Sequence, residues 1–516
     1  MNGAESLVKT LALNGVEVCF TNPGTSEMHF MAALDRTNAL RCVLGLQENV
    51  VTGAADGYAR MAGKPAATLL HLGPGLANGL ANLHNAKKAG TGIVNIVGDH
   101  ATYHIEYDAP LTSDVEGVAR PMSDWVKTSP TAEGVAADGA EAVRQASTHP
   151  GQVATLILPA NTAWGEGSAP VQAGTPNTPA GPSAADVEAA AKALSDAGEN
   201  GALYLKGNVL REPGLTLAGK IAAKTGARLL APTSNARIDR GAGRVPVERV
   251  PYVVAQALDR LSSVKQLVGI GENEPVAFFA YPDKPSQMLP DSCARLQLTG
   301  ADEDGTRALE MLCEALDAQN AAPAFAERRT DGGLPDGTLD SDKIAAVVSA
   351  MLPENAIVID ESVSSGRQLN WQTAGAAPHS WLHLCGGAIG AGIPLAVGAA
   401  IACPDRKVVA LQADGSSMYT IQGLWTQARE GLDVTTVIYA NRAYAILQGE
   451  MAAVGVENPG KVAQDMFGLD RPTLDFVSLA RGMGVEGERV DDAGDFQAAL
   501  QRGLATPGPY LIEAVI

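Results

Sequence analysis

Short β-branched runs, each closed by a glycine or a polar residue and followed by a helix-length segment, recur along the whole chain. The first third contains VEVCF, AATLLH, GIVNIVG and ATLILP, the second ALYLKG, RLLAP and QLVGIG, and the last AIVID, KVVALQA, VTTVIYA and YLIEAVI. Strands buried on both faces read as continuous apolar runs, and parallel strands can be joined only through crossovers long enough to hold a helix. The expectation is an α/β chain of mainly parallel, doubly wound sheets. At 516 residues it is too long for one hydrophobic core, which argues for three domains. Two stretches rich in Pro, Gly and small polar residues, 165–183 and 320–338, read as linkers between domains spanning 1–164, 184–319 and 339–516. No short-period repeat points to a solenoid.

Charge narrows the partners. Thirty-eight basic against 57 acidic residues leave a net charge of -19, which repels nucleic acid and acidic membranes. The six cysteines lie far apart with no C-x-x-C pair, so neither a disulfide framework nor a zinc knot is indicated and a reducing cytoplasm fits best. MNGAESLVKTLALNG reads as an amphipathic helix stopped at Asn14-Gly15, not as a signal peptide. No apolar run is long enough to span a bilayer.

Against that background one carboxylate stands out. In VVALQADGSSMYT, Asp414 closes a run that reads as a buried strand, and the next run, VTTVIYA, closes at Asn441. A right-handed crossover makes these strands parallel, so both residues emerge at the carboxyl edge of one sheet, where open α/β sheets bind ligands. A carboxylate and an amide oxygen are hard donors suited to Mg²⁺, and Gly415, Ser416 and Ser417 add donors for an anion. An Asp-Gly-Ser turn is also common in loops, so these residues alone leave both readings open.

The spacing goes further. ADGS (413–416) followed by NRAY (441–444) resembles the motif of thiamin-diphosphate-dependent enzymes, a family that includes acetolactate synthase, pyruvate decarboxylase and benzoylformate decarboxylase. Ala413 replaces the usual first Gly and Arg442 the usual second Asn. The resemblance implies three thiamin-fold domains: an N-terminal pyrimidine-type domain, a central domain and a C-terminal diphosphate-type domain. It implies Mg²⁺ ligands at Asp414, Asn441 and the backbone carbonyl of Ala443, with Gly415, Ser416 and Tyr444 near the diphosphate. HLCGGAIGAGIPLAVGAA (383–400) is similar to the segment that grips the aminopyrimidine, putting Gly387 beside the ring and Ile389 as the wedge under the folded cofactor; in ESVSSG (361–366), Ser364 becomes a diphosphate contact.

The family also supplies an activating glutamate. Glu48 ends one apolar run, and the ADGYAR that follows it (55–60) resembles that glutamate's segment. Since Glu48 and Asp414 lie in different domains, the resemblance implies that they meet across a dimer interface, with a homodimer as the minimum assembly and a homotetramer expected. TNPGTSE (21–27) and HLGPGLANG (71–79) resemble the substrate loops of benzoylformate decarboxylase: Thr25 and His71 take catalytic positions, and Asn22, Pro23, Gly24 and Asn78 border the cofactor. A lone His is as readily just hydrogen-bonded. Phe279, in VAFFAYP, stands where that relative has a second His, and AYAILQGEM supplies Ile446, Leu447 and Glu450 as further pocket walls.

Losing CO₂ from a 2-oxo acid leaves a carbanion that no amino-acid side chain delocalises, whereas a thiazolium does. The resemblance therefore implies a Mg²⁺- and thiamin-diphosphate-dependent 2-oxo acid decarboxylase or carboligase working through a carbanion-enamine. With one His missing, carboligation is expected to compete with aldehyde release. Acetolactate synthase proper is the alternative within the family, and FAD is compatible but has no motif in its favour. A non-catalytic relative is the alternative outside it, and the joint presence of Glu48, Asp414 and Asn441 argues against that.

Overall fold

The computed structural model describes residues 1–329, 333–456 and 458–516; residues 330–332 of the expected second linker lie outside them. Every run singled out above forms a strand, and the strands assemble into three sheets. The first has the spatial order Arg41–Leu44, Val18–Asn22, Ala66–Leu70, Ile93–Asp99, Val153–Pro159, Trp125–Thr128, and its pairs are parallel. The second runs Glu248–Arg249, Arg228–Ala231, Gly201–Leu205, Gln266–Ile270, Ala294–Thr299, again parallel. The third runs Glu486–Val490, Tyr510–Val515, Val434–Ala440, Val408–Ala413, Ile357–Glu361, His379–His383, Ile238–Arg240. Its last strand comes from the central segment and pairs antiparallel with His379–His383. That strand carries chain from the second domain onto the edge of the third.

The apolar run leading to Glu48 forms the strand Arg41–Leu44, and the strands that escaped the sequence reading are, with one exception, also edge strands. Arg41–Leu44, Trp125–Thr128, Glu248–Arg249, Ala294–Thr299, Glu486–Val490 and Ile238–Arg240 each close a sheet. An edge strand is solvated on one side and does not need a continuous apolar run. The exception, His379–His383, is buried throughout yet carries two His and a Ser. Its polar composition hid it.

The first and third sheets are tied together by two helices. Glu48–Ala62 is capped by the Gln47 side-chain oxygen, which accepts from the N–H of Asn49 at 2.6 Å, and all of it but its first and last residues is buried. Its face meets Gly392–Ala402 so closely that a Cβ on Gly57 would lie 2.2 Å from the Leu395 carbonyl oxygen, and one on Gly398 1.9 Å from that of Ala54. Across the same seam, buried Arg60 donates to Asp56 and to the carbonyl of His383 at 2.8 Å. Among the described residues no helix is long and apolar enough to cross a membrane.

Candidate active site

Strands Val408–Ala413 and Val434–Ala440 are parallel neighbours with Ala413 opposite Tyr439, so Asp414 and Asn441 leave the sheet at the same edge. Asp414 is 2% exposed. Its Oδ1 accepts from the N–H of Gly415 at 2.7 Å and its Oδ2 from that of Arg442 at 2.6 Å, while burial pushes its carboxyl above the usual carboxylate range. Asn441 accepts from the N–H of Ala443 at 3.0 Å and donates to Ser365 Oγ at 3.3 Å. Arg442 has a φ of 58°, a left-handed conformation that asparagine fills more readily. No described residue donates to the Ala443 carbonyl, although flanking backbone groups pair with Phe467 and Leu469. A buried carboxylate, an amide and a free carbonyl thus sit together at one sheet edge, a donor set that fits Mg²⁺. It does so without any cluster of three His, Cys, Asp or Glu among the described residues.

The neighbouring strand Ile357–Glu361 contributes a second buried acid. Glu361 accepts from the N–H groups of Gly390, Ala391 and Gly392 at 2.8, 3.1 and 2.8 Å. Burial raises its pKa to about 7 against the pull of those bonds. This contact shapes the turn that presents Gly387 and Ile389. Gly387 has a φ of 77°, and a Cβ there would meet Phe278 Cζ at 2.7 Å, so an aromatic ring from the central segment lies on it. Ser364 shares the loop after the strand, but the hydroxyl that reaches Asn441 belongs to Ser365.

Tyr444, next in the chain to Ala443, lines a cavity of about 1130 Å³ together with Gly387, Ile389, Ile446, Leu447 and Glu450 from the third domain and Tyr252, Phe278 and Phe279 from the second. Arg240 and Arg249 also line it. The Arg240 guanidinium stacks on Trp381 with 4.9 Å to the ring centre; burial, then Arg249, bring its pKa down to about 9 against the pull of Asp360. Arg249 Nη1 lies 2.6 Å from His383 Nε2.

The remaining expected residues form a separate cluster. Asn78 Nδ2 donates to Glu48 Oε2 at 3.1 Å, and His71 directly precedes the helix Leu72–Ala89 that carries Asn78, without bonding to it through its side chain. His71 Nδ1 lies 2.8 Å from Glu27 Oε2 and 3.2 Å from Ser26 Oγ, which leaves Nε2 free. Glu27, 3% exposed, also accepts from the Gly24 N–H at 2.8 Å and from Ser26 Oγ at 2.6 Å. Asn22 donates to the Gly45 carbonyl at 2.8 Å, beside half-buried Pro23. Thr25 is exposed, and the hydroxyl at His71 is that of Ser26. None of Glu48, His71, Thr25 or Asn78 lines the cavity around Ile389, and neither do Asp414, Asn441 or Ala443. The helix that carries Asn78 reaches the turn bearing Ile389 within the same chain, Asn82 Nδ2 donating to the Gly390 carbonyl at 3.1 Å and Asn85 Nδ2 to that of Ala388 at 2.8 Å.

Residues 1–120 match the family described as "Thiamine pyrophosphate enzyme, N-terminal TPP binding domain", and residues 367–514 match its "C-terminal TPP binding domain". A Mycobacterium tuberculosis protein named "Putative acetolactate synthase large subunit IlvX" is 51% identical over 100% of this chain and 99% of its own length. The chain belongs to the thiamine pyrophosphate enzyme family. Benzoylformate decarboxylase from Pseudomonas aeruginosa is 28% identical over 98% of this chain and 96% of its own. Among solved structures, the thiamine diphosphate-dependent 4-hydroxybenzoylformate decarboxylase of Rhodococcus jostii RHA1 superposes with a TM-score of 0.85 at 26% identity, covering 100% of this chain and 99% of that one. As a member of this thiamine-dependent family the chain is an enzyme of the kind that acts on 2-oxo acids, and its cofactor is thiamin diphosphate.

Four residues of this thiamin enzyme's site were not read from the sequence. Glu361 was visible only as the first letter of ESVSSG, and its three backbone donors lie about 30 residues away. Glu27 sits in TNPGTSE, yet its partner His71 is 44 positions on. Tyr252 and Tyr281 reach Glu450 from the central segment. No local pattern marks such pairings.

Proposed function

We propose that the chain is a Mg²⁺-dependent 2-oxo acid decarboxylase that also transfers the resulting acyl carbon to a second carbonyl. The observation that carries this reading is Asp414, Asn441 and the unpaired Ala443 carbonyl at one sheet edge, with Tyr444, next in the chain, on the wall of the cavity that Ile389 also lines. Asp414, Asn441 and Ala443 would hold the metal, and Gly415, Ser416 and Tyr444 would surround the diphosphate. When bound, the cofactor supplies the electron sink for the carbanion left by CO₂. Glu48 would hold a proton at the far nitrogen of the aminopyrimidine, steadied by Asn78. His71, its Nδ1 occupied by Glu27, has Nε2 free to pass a proton to or from the reacting oxygen. Glu48 lies in the N-terminal and Asp414 in the C-terminal thiamine-binding domain, and the complete site would take Glu48 from one subunit and Asp414 from its partner. The described cysteines are free, in keeping with a reducing, cytoplasmic setting.

CO₂ release from a panel of 2-oxo acids, with Mg²⁺ and thiamin diphosphate present, tests the reaction. Glu48→Gln should keep cofactor binding while turnover falls on the order of 10²–10⁴-fold; unchanged turnover defeats the role given to Glu48. The names of the acetolactate synthases it resembles favour a second reading, condensation of two pyruvates. Acetolactate as the main product from pyruvate would establish that reaction.

A further inference from the structure

Glu450 lies on the helix Ala445–Ala453, on the wall of the cavity that also holds Ile446 and Leu447. Its two oxygens accept from two phenols of the central segment: Tyr252 Oη at 2.9 Å on Oε1 and Tyr281 Oη at 2.7 Å on Oε2. No described cation forms a salt bridge with it. The Tyr252 ring is fixed in turn by Phe278, with ring centres 5.5 Å apart. Burial first, and Glu450 next, push both phenols above their ordinary range, so they keep their protons.

An ionised carboxylate offers about four acceptor positions, and a phenol has a single proton to give. Both protons are spent on Glu450, so lone pairs are left on all three side chains; arginines line the same cavity, Arg240, Arg249 and Arg367 among them, but no described arginine bonds to Glu450. An apolar group docked there would leave those acceptors dry, with the desolvation of each stranded group uncompensated. A ligand N–H or O–H would satisfy them, and a cation would also meet the unpaired charge.

We propose that Glu450, held between Tyr252 and Tyr281, is a specificity-determining residue that selects 2-oxo acids whose side chain ends in a hydrogen-bond donor, and cationic donors most strongly. This rests on the reading of the cavity as the 2-oxo acid site. A site built around polar groups rejects an analogue lacking the matching group far more sharply than an apolar pocket rejects a missing methylene.

Three phenylglyoxylates of shared shape test it: benzoylformate, its 4-hydroxy and its 4-aminomethyl derivative, assayed for CO₂ release by the holoenzyme. The kcat/KM should rise by at least about tenfold from the first to the other two. In Glu450→Leu that ratio should fall to about one, while Glu450→Gln, which keeps an acceptor but no charge, should retain the advantage of the hydroxyl and lose that of the ammonium. A merely structural role would lower all three rates together and leave their ratio standing. A wild-type preference for benzoylformate, or a ratio unmoved by Glu450→Leu, overturns the proposal. If no phenylglyoxylate loses CO₂, the proposed reaction fails separately. Calorimetric titration with the same three compounds then decides the pocket: tighter binding of the donors that Glu450→Leu abolishes sustains it, and equal affinities in the wild type overturn it.

Discussion

Three backbone N–H groups converge on Glu361, a carboxylate 2% exposed with a pKa near 7. Between its ordinary 4.5 and about 7 the folded chain keeps a proton that the unfolded chain has released, so this group's contribution to stability is full below the lower value and lost as pH rises through the upper one. The amount is on the order of 3 kcal/mol. Thermal midpoints measured across that window should fall with pH in the wild type and fall less in Glu361→Gln. At the acid end of that window the variant should be weaker by about 1–3 kcal/mol, because its amide turns a donor toward a backbone N–H, and the gap should close as pH rises. Glu27 acts on His71 in a comparable way: by accepting from Nδ1 it fixes which nitrogen is free. Glu27→Gln should lower kcat/KM by roughly tenfold or more and reshape its pH profile, with the fold retained by circular dichroism. An unshifted profile would mean that His71 does not carry the titration.

At the scale of elements, the seam between Glu48–Ala62 and Gly392–Ala402 has no room for side chains at Gly57 or Gly398, where a new methyl would press on the backbone of the opposing helix. Gly57→Ala or Gly398→Ala should cost about 1–3 kcal/mol by overpacking, read as an earlier urea midpoint. The loss should exceed that of an exposed glycine such as Gly449, where a Cβ meets open space. Elements buried on both faces were legible in sequence because burial alone dictates their composition. Five of the six edge strands, all but Arg41–Leu44, were not: their half-solvated positions accept polar residues, and only pairing identifies them. His379–His383 was missed for the opposite reason. Its polar side chains are buried because their partners come from elsewhere, as when Ser380 Oγ donates to Asp239 Oδ1 at 3.0 Å.

For the whole molecule, the placement of Glu48 and Asp414 in different thiamine-binding domains makes a sharp test of subunit composition. Glu48→Gln and Asp414→Asn should each be nearly inactive. If the site is shared between subunits, mixing them in equal amounts under conditions that allow exchange should restore about a quarter of wild-type activity, since half the dimers are mixed and each mixed dimer has one intact site. No recovery would place both residues in one subunit's site. The alternation of buried strand and crossover, and with it the carboxyl-edge placement of Asp414 and Asn441, was determined by sequence alone, because strand burial and crossover length are local properties of the chain. Which distant side chains complete the site was decided only by tertiary structure. Glu361 under the glycine turn, Glu27 behind His71, and two tyrosines on Glu450 depend on how separate domains pack, and a linear pattern carries no record of that.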